Sequence, residues 1–298
     1  MQVTFTGRCP KDCALVLRRL RETLWIGRVA SVHLAERTAL STLAAVTAGL
    51  SDRRLLGMTS VLARVSRLRS PPSSLRRDDG KRLMRRRNSL RLFRELRDRH
   101  AACSDTLQWY ARVRQTAWND PCEHLGNRKA STRMIALLQT GEYLLAVASV
   151  ISRHPHPGRF HLCLPGLPTP GLQALMRALT QLGHWIELSD SNAPNAHLTM
   201  ITRMRAGVTV IAFIDEATDN CHPDDVDAPL GPTLPPVHAA YVAGSSALLL
   251  AHRIDSGQAA GVHVLCHTPP VCPTAMCRRF AFHANRFISD DPANWAHL

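Results

Sequence analysis

From residue 133 onward, short apolar runs alternate with longer amphipathic segments. The pattern predicts strands over 134–138, 160–164, 185–188, 208–215 and 247–250, and helices over 142–152, 171–182, 196–206 and 237–246. The run 208–215 is continuous and rich in β-branched residues, which is typical of a strand buried on both faces. Strands that alternate with helices predict an α/β fold with a mixed, largely parallel sheet flanked by helices.

The first hundred residues carry a different pattern. Apolar residues recur every three or four positions over 15–24, 29–50 and 53–69, which predicts amphipathic helices. A further helix is predicted over 76–99, with a buried stripe formed by Leu83, Leu90, Phe93 and Leu96. We therefore predict a basic helical N-terminal region over 1–100, packed on an α/β domain over 101–298.

The charge balance narrows the choice of partners. The chain has 37 Lys and Arg residues against 23 Asp and Glu residues, a formal net charge of +14. Such an excess predicts an anionic partner, which could be a nucleic acid, an anionic membrane surface or an acidic protein. Aromatic residues form only 5% of the chain, and no helix-turn-helix, zinc finger or aromatic stacking strand is recognisable. Nucleic acid is therefore the least favoured of the three.

The apolar segments are too short or too charged to cross a membrane. The most apolar segment, 29–50, contains His33, Glu36 and Arg37, which are costly in a bilayer. The first residues do not have the pattern of a secretory signal. Nine scattered cysteines fit a reducing compartment. We expect a cytoplasmic protein, with the possibility of peripheral binding to the inner face of the cell membrane.

Cysteine and histidine cluster near the end of the chain, at Cys266, His267, Cys272, Cys277 and His283. Five and then four residues separate the three cysteines, whereas structural zinc sites use closer C-x-x-C pairs. We expect buried, unreactive thiols rather than a zinc site, and neither a metal nor a resident cofactor.

Two loops are the best candidates for chemistry, because functional groups in α/β sheets follow the carboxyl ends of strands. The first, 138–143, contains Gln139 and Glu142, and the second, 213–216, contains Asp215. Gln139 could cap the following helix or contact a substrate. Asp215 could equally hold its loop in place or belong to the site.

Several short motifs follow one another in a fixed order. They are the segment 139–144 (Gln-Thr-Gly-Glu-Tyr-Leu), the basic segment 86–91, the apolar strand that ends at Asp215, Gly231 beside Pro232, and the segment from Ile288 to Trp295. Their order resembles that of the lipid A biosynthesis (lauroyl/myristoyl) acyltransferase family, within the wider lysophospholipid acyltransferase superfamily. The resemblance is collinear over about residues 50 to 298.

The resemblance implies transfer of a fatty acyl group from a carrier thioester, either acyl carrier protein or acyl-CoA, to a lipid or small acceptor. In that family a strand ends in His-x-Gly-x-aromatic-Glu, and the histidine is the general base. Here Gln139 replaces the histidine, and Leu144 replaces the acid. An amide cannot accept the proton, so Glu142, or Asp215 acting through water, would have to replace the base.

The resemblance also implies a set of substrate contacts, namely Gly141, Tyr143, Gly231, Arg85, Arg86 and Arg87. Because the family's histidine and acid are both absent here, the alternative is a non-catalytic relative that binds an acyl carrier protein, an acyl chain or a partner protein. A nucleic-acid-binding protein is the third hypothesis, and it depends on charge alone.

Overall fold

Helices cover both faces of a central sheet in the computed structural model, which describes residues 38–65, 78–120, 132–153, 157–166, 168–215, 230–231, 233–255 and 260–295. The helices are α1 (Asp52–Val65), α2 (Asp78–Ala102), α3 (Thr106–Gln115), α4 (Tyr143–Ser152), α5 (Pro170–Gln181), α6 (Ala196–Arg205), α7 (Pro235–Val242) and α8 (Pro273–Asp290). The strands are β1 (Trp118–Asn119), β2 (Thr132–Leu137), β3 (Arg159–Leu164), β4 (Trp185–Asp190), β5 (Thr209–Phe213), β6 (Ser246–Arg253) and β7 (Gly261–Thr268). A 3-10 turn, Pro292–Asn294, follows α8.

The chain divides into two compact units, Met1–Gly49 and Leu50–Leu298. The described part of the first unit contains a helix over 38–47, while the predicted helix 15–24 and the start of 29–50 lie outside the described residues. Helix α2 belongs to the second unit. Helix α2 and the sheet therefore lie in the same unit.

The strands form one mixed sheet in the order β1-β7-β6-β2-β5-β3-β4. Neighbouring strands are parallel except for the antiparallel pair β6 and β7. The predicted α/β fold with a largely parallel sheet is confirmed. Helix α7 ends at Val242, earlier than predicted, because Gly244 takes a φ of 69° that a helix cannot continue. Helices α3 and α8 were not predicted.

Strand β2 shows why its sequence is apolar at every position. Ile135 and Leu137 face the layer of α3, α4 and α5, whereas Met134 and Ala136 face the layer of α6, α7 and α8. Successive side chains of a strand point to opposite faces, so a strand with two covered faces must be apolar throughout.

The parallel strands bring five carboxyl ends to one edge of the sheet. The loops that follow β2, β3 and β5 start there, and helices α4 and α5 begin there as well. Among the described residues, no helix combines the length and the apolar character needed to cross a bilayer. The candidate site therefore lies where the topology of an α/β sheet favours binding.

Candidate functional site

The turn after β2 is held by hydrogen bonds to β6 on one side and to the 3-10 turn on the other. Gly141 has a φ of 52°, and a Cβ at this position would overlap the backbone carbonyl and the ring of His252. The hydroxyl of Thr140 accepts the His252 N–H at 3.2 Å. The Gly141 N–H donates to the carbonyl of Asn294 at 3.0 Å. This turn therefore requires glycine, and it holds the end of β6 against the 3-10 turn.

Asp215 holds the same turn from β5. Both of its carboxylate oxygens accept the backbone N–H of Gln139, at 3.0 and 2.8 Å, and Oδ2 also accepts the indole N–H of Trp295 at 2.8 Å. The Asp215 side chain has no exposed surface. Of the two roles that the sequence left open, this geometry fits the loop-holding carboxylate.

Glu142 is paired with an arginine that the sequence analysis did not single out. Its Oε1 accepts from the Arg112 guanidinium at 2.5 Å, and its side chain is 9% exposed. Burial by itself raises the pKa of Glu142, but Arg112, His252 and Arg97 together hold that pKa below its usual value. Glu142 is therefore an ionised, engaged carboxylate, and a weak base.

His252 contacts the turn directly. Its Nδ1 accepts the backbone N–H of Glu142 at 3.0 Å, which places the ring proton on Nε2. Burial lowers the pKa of His252 to about 4, with Arg112 and His263 adding to the effect against Glu142. The Nδ1 lone pair, which could accept a proton, is therefore already engaged in the hydrogen bond from Glu142.

Gln139 does not occupy the capping position of the next helix. The N-cap residue of α4 is Glu142, and Gln139 instead borders a cavity of about 390 Å³ at the carboxyl ends of β3, β4 and β5. The apolar side chains around this cavity include Leu164, Leu172, Leu188 and Phe213. The Gln139 residue thus contacts open volume.

A second, larger cavity of about 590 Å³ lies beside the first. Its apolar part is formed by Ala101, Trp109, Leu144 and Leu145. Its polar part contains five arginines and three carboxylates: Arg87, Arg91, Arg94, Arg97, Arg112, Glu95, Asp98 and Glu142. We call it the arginine cavity. It combines a strongly cationic wall with an apolar wall, which suits an anionic amphiphile.

Tyr143 and Thr169 border both cavities. The Tyr143 ring packs edge-on against Phe213 with ring centroids 5.2 Å apart. Burial and the neighbouring Asp98 raise the pKa of Tyr143, so it is a neutral phenol. Thr169 caps α5 and donates its hydroxyl to Asp98 at 2.7 Å. These two residues form the partition between the cavities.

The structure separates the predicted substrate contacts. Gly141, Tyr143 and Arg87 line the arginine cavity, but Arg85 is exposed elsewhere on α2 and Arg86 pairs with Asp291 at 2.7 Å. Gly231 is not among the described residues that line either cavity, and the adjacent Leu230 bonds through its backbone to Asn285.

The Cys/His-rich segment does not converge on one point in the described part of the chain. No three His, Cys, Asp or Glu side chains come close enough there to hold a metal ion. Burial raises the pKa of the Cys266 thiol to about 12 and raises that of Cys277, so both remain protonated. Cys272 is exposed at the start of α8.

The predicted site did not include Arg91, Arg94, Arg112 or His252, although the first two belong to the predicted basic helix. The first two carry a signal that was available: Arg87, Arg91 and Arg94 are spaced by four and three residues, which places them on one face of a helix. Arg112 and His252 carry no local signal, because their partners are remote in sequence.

The two cavities beside the turn after β2 have room for a ligand, but the side chains around the turn have few means of moving a proton. Around the turn after β2, the carboxylates of Glu142 and Asp215 and the Nδ1 of His252 are all engaged. Compared with known proteins, the chain matches no family model and no curated protein.

Proposed function

We propose that this chain is a non-catalytic acyltransferase-like protein that binds a fatty-acyl ligand presented by an anionic carrier, such as acyl carrier protein or acyl-CoA. The observation that carries the proposal is the engagement of each proton acceptor beside the turn where the related enzymes have their base. Glu142 is ion-paired with Arg112. Asp215 is buried and accepts hydrogen bonds from the Gln139 and Trp295 N–H groups, and the Gln139 side chain is an amide.

The arginine cavity supports the binding half of the proposal. Trp109, Leu144 and Leu145 provide an apolar surface for a chain, and the arginines of α2 provide cations for an anionic carrier. A buried apolar wall with a few convergent polar groups is the usual composition of a ligand site.

Acyl transfer remains the second candidate function. It is supported by the position of the cavities at the carboxyl edge of a largely parallel sheet, beside the turn that the resemblance identifies. Turnover by this chain would require Glu142 to release Arg112 before it could accept a proton, because an ion-paired carboxylate is a weak base.

Incubation with radiolabelled acyl carrier protein separates the candidates. We expect a stable complex, with neither transfer of the label to a lipid acceptor nor release of free fatty acid. Thioester loss that depends on Glu142, tested with Glu142→Gln, would overturn the non-catalytic assignment. Absence of any complex with acyl carrier protein and with acyl-CoA would overturn the acyl-binding assignment.

A duplex DNA arm tests the nucleic-acid hypothesis in the same assay. Salt-sensitive binding of DNA, without affinity for an acyl carrier, would favour the third hypothesis over the first two.

A further inference from the structure

One face of α2 presents three arginines to the arginine cavity. Arg87, Arg91 and Arg94 are spaced at i, i+4 and i+7, so they stack along a single face of the helix. The same face continues into Asp98 and Ala101, which line the cavity further along. An adjoining face of the helix carries the buried Leu90, Phe93 and Leu96. The position of the three guanidinium groups therefore follows from how α2 packs.

The other two arginines of the cavity have carboxylate partners. Arg112 pairs with Glu142 at 2.5 Å, and Arg97 pairs with Asp52. The remaining carboxylates are also occupied: Glu95 lies 3.6 Å from Arg99, and Asp98 accepts from Thr169. The Thr169 hydroxyl is neutral, so Asp98 keeps its charge, and the five arginines that line the cavity exceed its three carboxylates by two.

Arg87, Arg91 and Arg94 form no ion pair with another described residue. Arg94 makes one weak hydrogen bond, from Nε to the carbonyl of Leu90 at 3.3 Å. Burial, together with Arg87 and Arg91, lowers the pKa of Arg94 to about 10, and burial and Arg91 lower the pKa of Arg87. Each of these cations therefore raises the energy of its neighbours on the helix face.

A phosphate ester meets the requirements of this arrangement. Guanidinium groups bind phosphate through paired N–H donors, and a phosphate spreads its charge over several oxygen acceptors. A single carboxylate has two oxygens and one charge, so it can engage fewer of the three groups. Arg91 is exposed, so a ligand can reach the group from solvent.

We propose that Arg87, Arg91 and Arg94 form a phosphate-binding subsite, and that the ligand of the arginine cavity is a phosphate ester with an apolar chain. The apolar chain rests on the proposed function, whereas the phosphate subsite does not. The phosphate can come from the headgroup of a lipid or from the phosphorylated arm of an acyl carrier, because both present the same group.

The test compares dodecyl phosphate with dodecanoate by isothermal titration calorimetry at constant ionic strength and below the micellar range. We expect the phosphate to bind at least about tenfold more tightly, the equivalent of one additional charge-assisted hydrogen bond. Inorganic phosphate should compete with dodecyl phosphate. Equal affinity for the two amphiphiles, or a lack of competition by phosphate, would overturn the proposal.

Variants on α2 locate the site. Arg91→Gln removes an exposed cation and should weaken dodecyl phosphate binding about tenfold with little effect on folding. Arg94→Lys keeps the charge but loses the planar fork, so it should also weaken binding. Arg85→Gln is the matched control, because Arg85 is exposed on the same helix outside the cavity. An equal loss in Arg85→Gln would show a general charge effect and contradict a defined subsite.

Two further binding experiments identify the source of the phosphate. They also separate a failure of the phosphate subsite from a failure of the proposed acyl-binding function. Acyl-CoA in solution represents the carrier, and vesicles of phosphatidic acid against phosphatidylcholine represent the membrane. Arg91-dependent binding of acyl-CoA alone identifies the carrier, and Arg91-dependent binding of phosphatidic acid vesicles alone identifies a lipid. Arg91-dependent binding of inorganic phosphate without any gain from an alkyl chain would retain the subsite and reject the acyl-binding function.

Discussion

Gln139 and Asp215 are joined across two adjacent parallel strands, because both carboxylate oxygens of Asp215 accept the backbone N–H of Gln139, at 3.0 and 2.8 Å. The indole of Trp295 donates to the same carboxylate at 2.8 Å. A buried carboxylate that receives such N–H donors is strongly tied to its position. The turn that the resemblance identifies is therefore held by a structural contact.

Asp215→Asn should destabilise the protein by about 2 to 4 kcal/mol, since it removes a buried hydrogen-bonded charge and puts an NH2 group, itself a donor, where Oδ1 now accepts the Gln139 N–H. Thermal and urea unfolding measure the loss. The exposed Asp290→Asn, at the end of α8, is the matched control and should change stability by less than about 0.5 kcal/mol. A fully stable Asp215→Asn protein that lost ligand binding would instead make Asp215 a site residue.

Gly141→Ala should be more damaging than an alanine at another glycine of positive φ. Both Gly141 and Gly207 have positive φ, but a Cβ at Gly207 meets nothing within 4 Å, whereas at Gly141 it overlaps His252. We expect Gly207→Ala to cost about 1 kcal/mol from backbone strain alone, and Gly141→Ala to cost clearly more. Equal losses in urea unfolding would show that β6 can move away from the turn.

Arg112→Met tests the ion pair with Glu142. Removal of the cation leaves a buried carboxylate without its partner, which should cost about 2 to 3 kcal/mol at pH 7 because the pair is only partly exposed. The folded-state pKa of Glu142 is lowered, so the pair stabilises the protein above the unfolded pKa, and this stabilisation is lost as the pH falls below it. The difference between wild type and Arg112→Met should therefore shrink in acid.

The double variant Arg112→Met, Glu142→Gln is the control for that experiment. It removes the buried charge as well as its partner, so it should recover part of the stability lost in the single variant. A double variant that is less stable than the sum of the two single changes would contradict a dominant pairwise interaction.

His252 should make stability fall in acid. Its folded pKa of about 4 lies below the unfolded value near 6.5, so the unfolded chain binds the proton first as the pH is lowered. The stabilisation is complete above about pH 6.5 and is lost between there and about pH 4, with an upper bound of roughly 3 kcal/mol.

His252→Asn separates this titration from the hydrogen bond. The amide oxygen of asparagine can accept the Glu142 N–H in place of Nδ1 but cannot be protonated in this range. Urea unfolding of His252→Asn should therefore show a flatter dependence on pH between 4 and 6.5. An unchanged slope would assign the acid sensitivity to other groups.

The strand pattern was predictable because each apolar run has a covered layer on both faces. Strands β2, β3 and β5 lie within one or two residues of their predicted bounds. Helix α8 was not predicted, although Met276, Phe280 and Phe287 recur at helical spacing and form its buried face.

The candidate site was only partly predictable. The turn at Gln139 and Gly141 has a local signature of strand, glycine and helix, so it could be located. The roles of Glu142 and Asp215 depend on Arg112 and Trp295, which are brought in by tertiary packing from distant parts of the chain. Of the densest arginine run, 85–87, only Arg87 lines the cavity, because three consecutive residues point in three directions around α2.

The central position of β2 affects how the chain must fold. Its two partners, β5 and β6, begin only at Thr209 and Ser246, so β2 has no neighbour until most of the sheet-forming sequence is present. Pairings between segments so remote in sequence form slowly, because a long loop must close before any contact is gained. Until then an apolar strand with two open edges is exposed to other chains. We expect refolding to be slow and to lose yield as protein concentration rises, through aggregation of the unpaired strand.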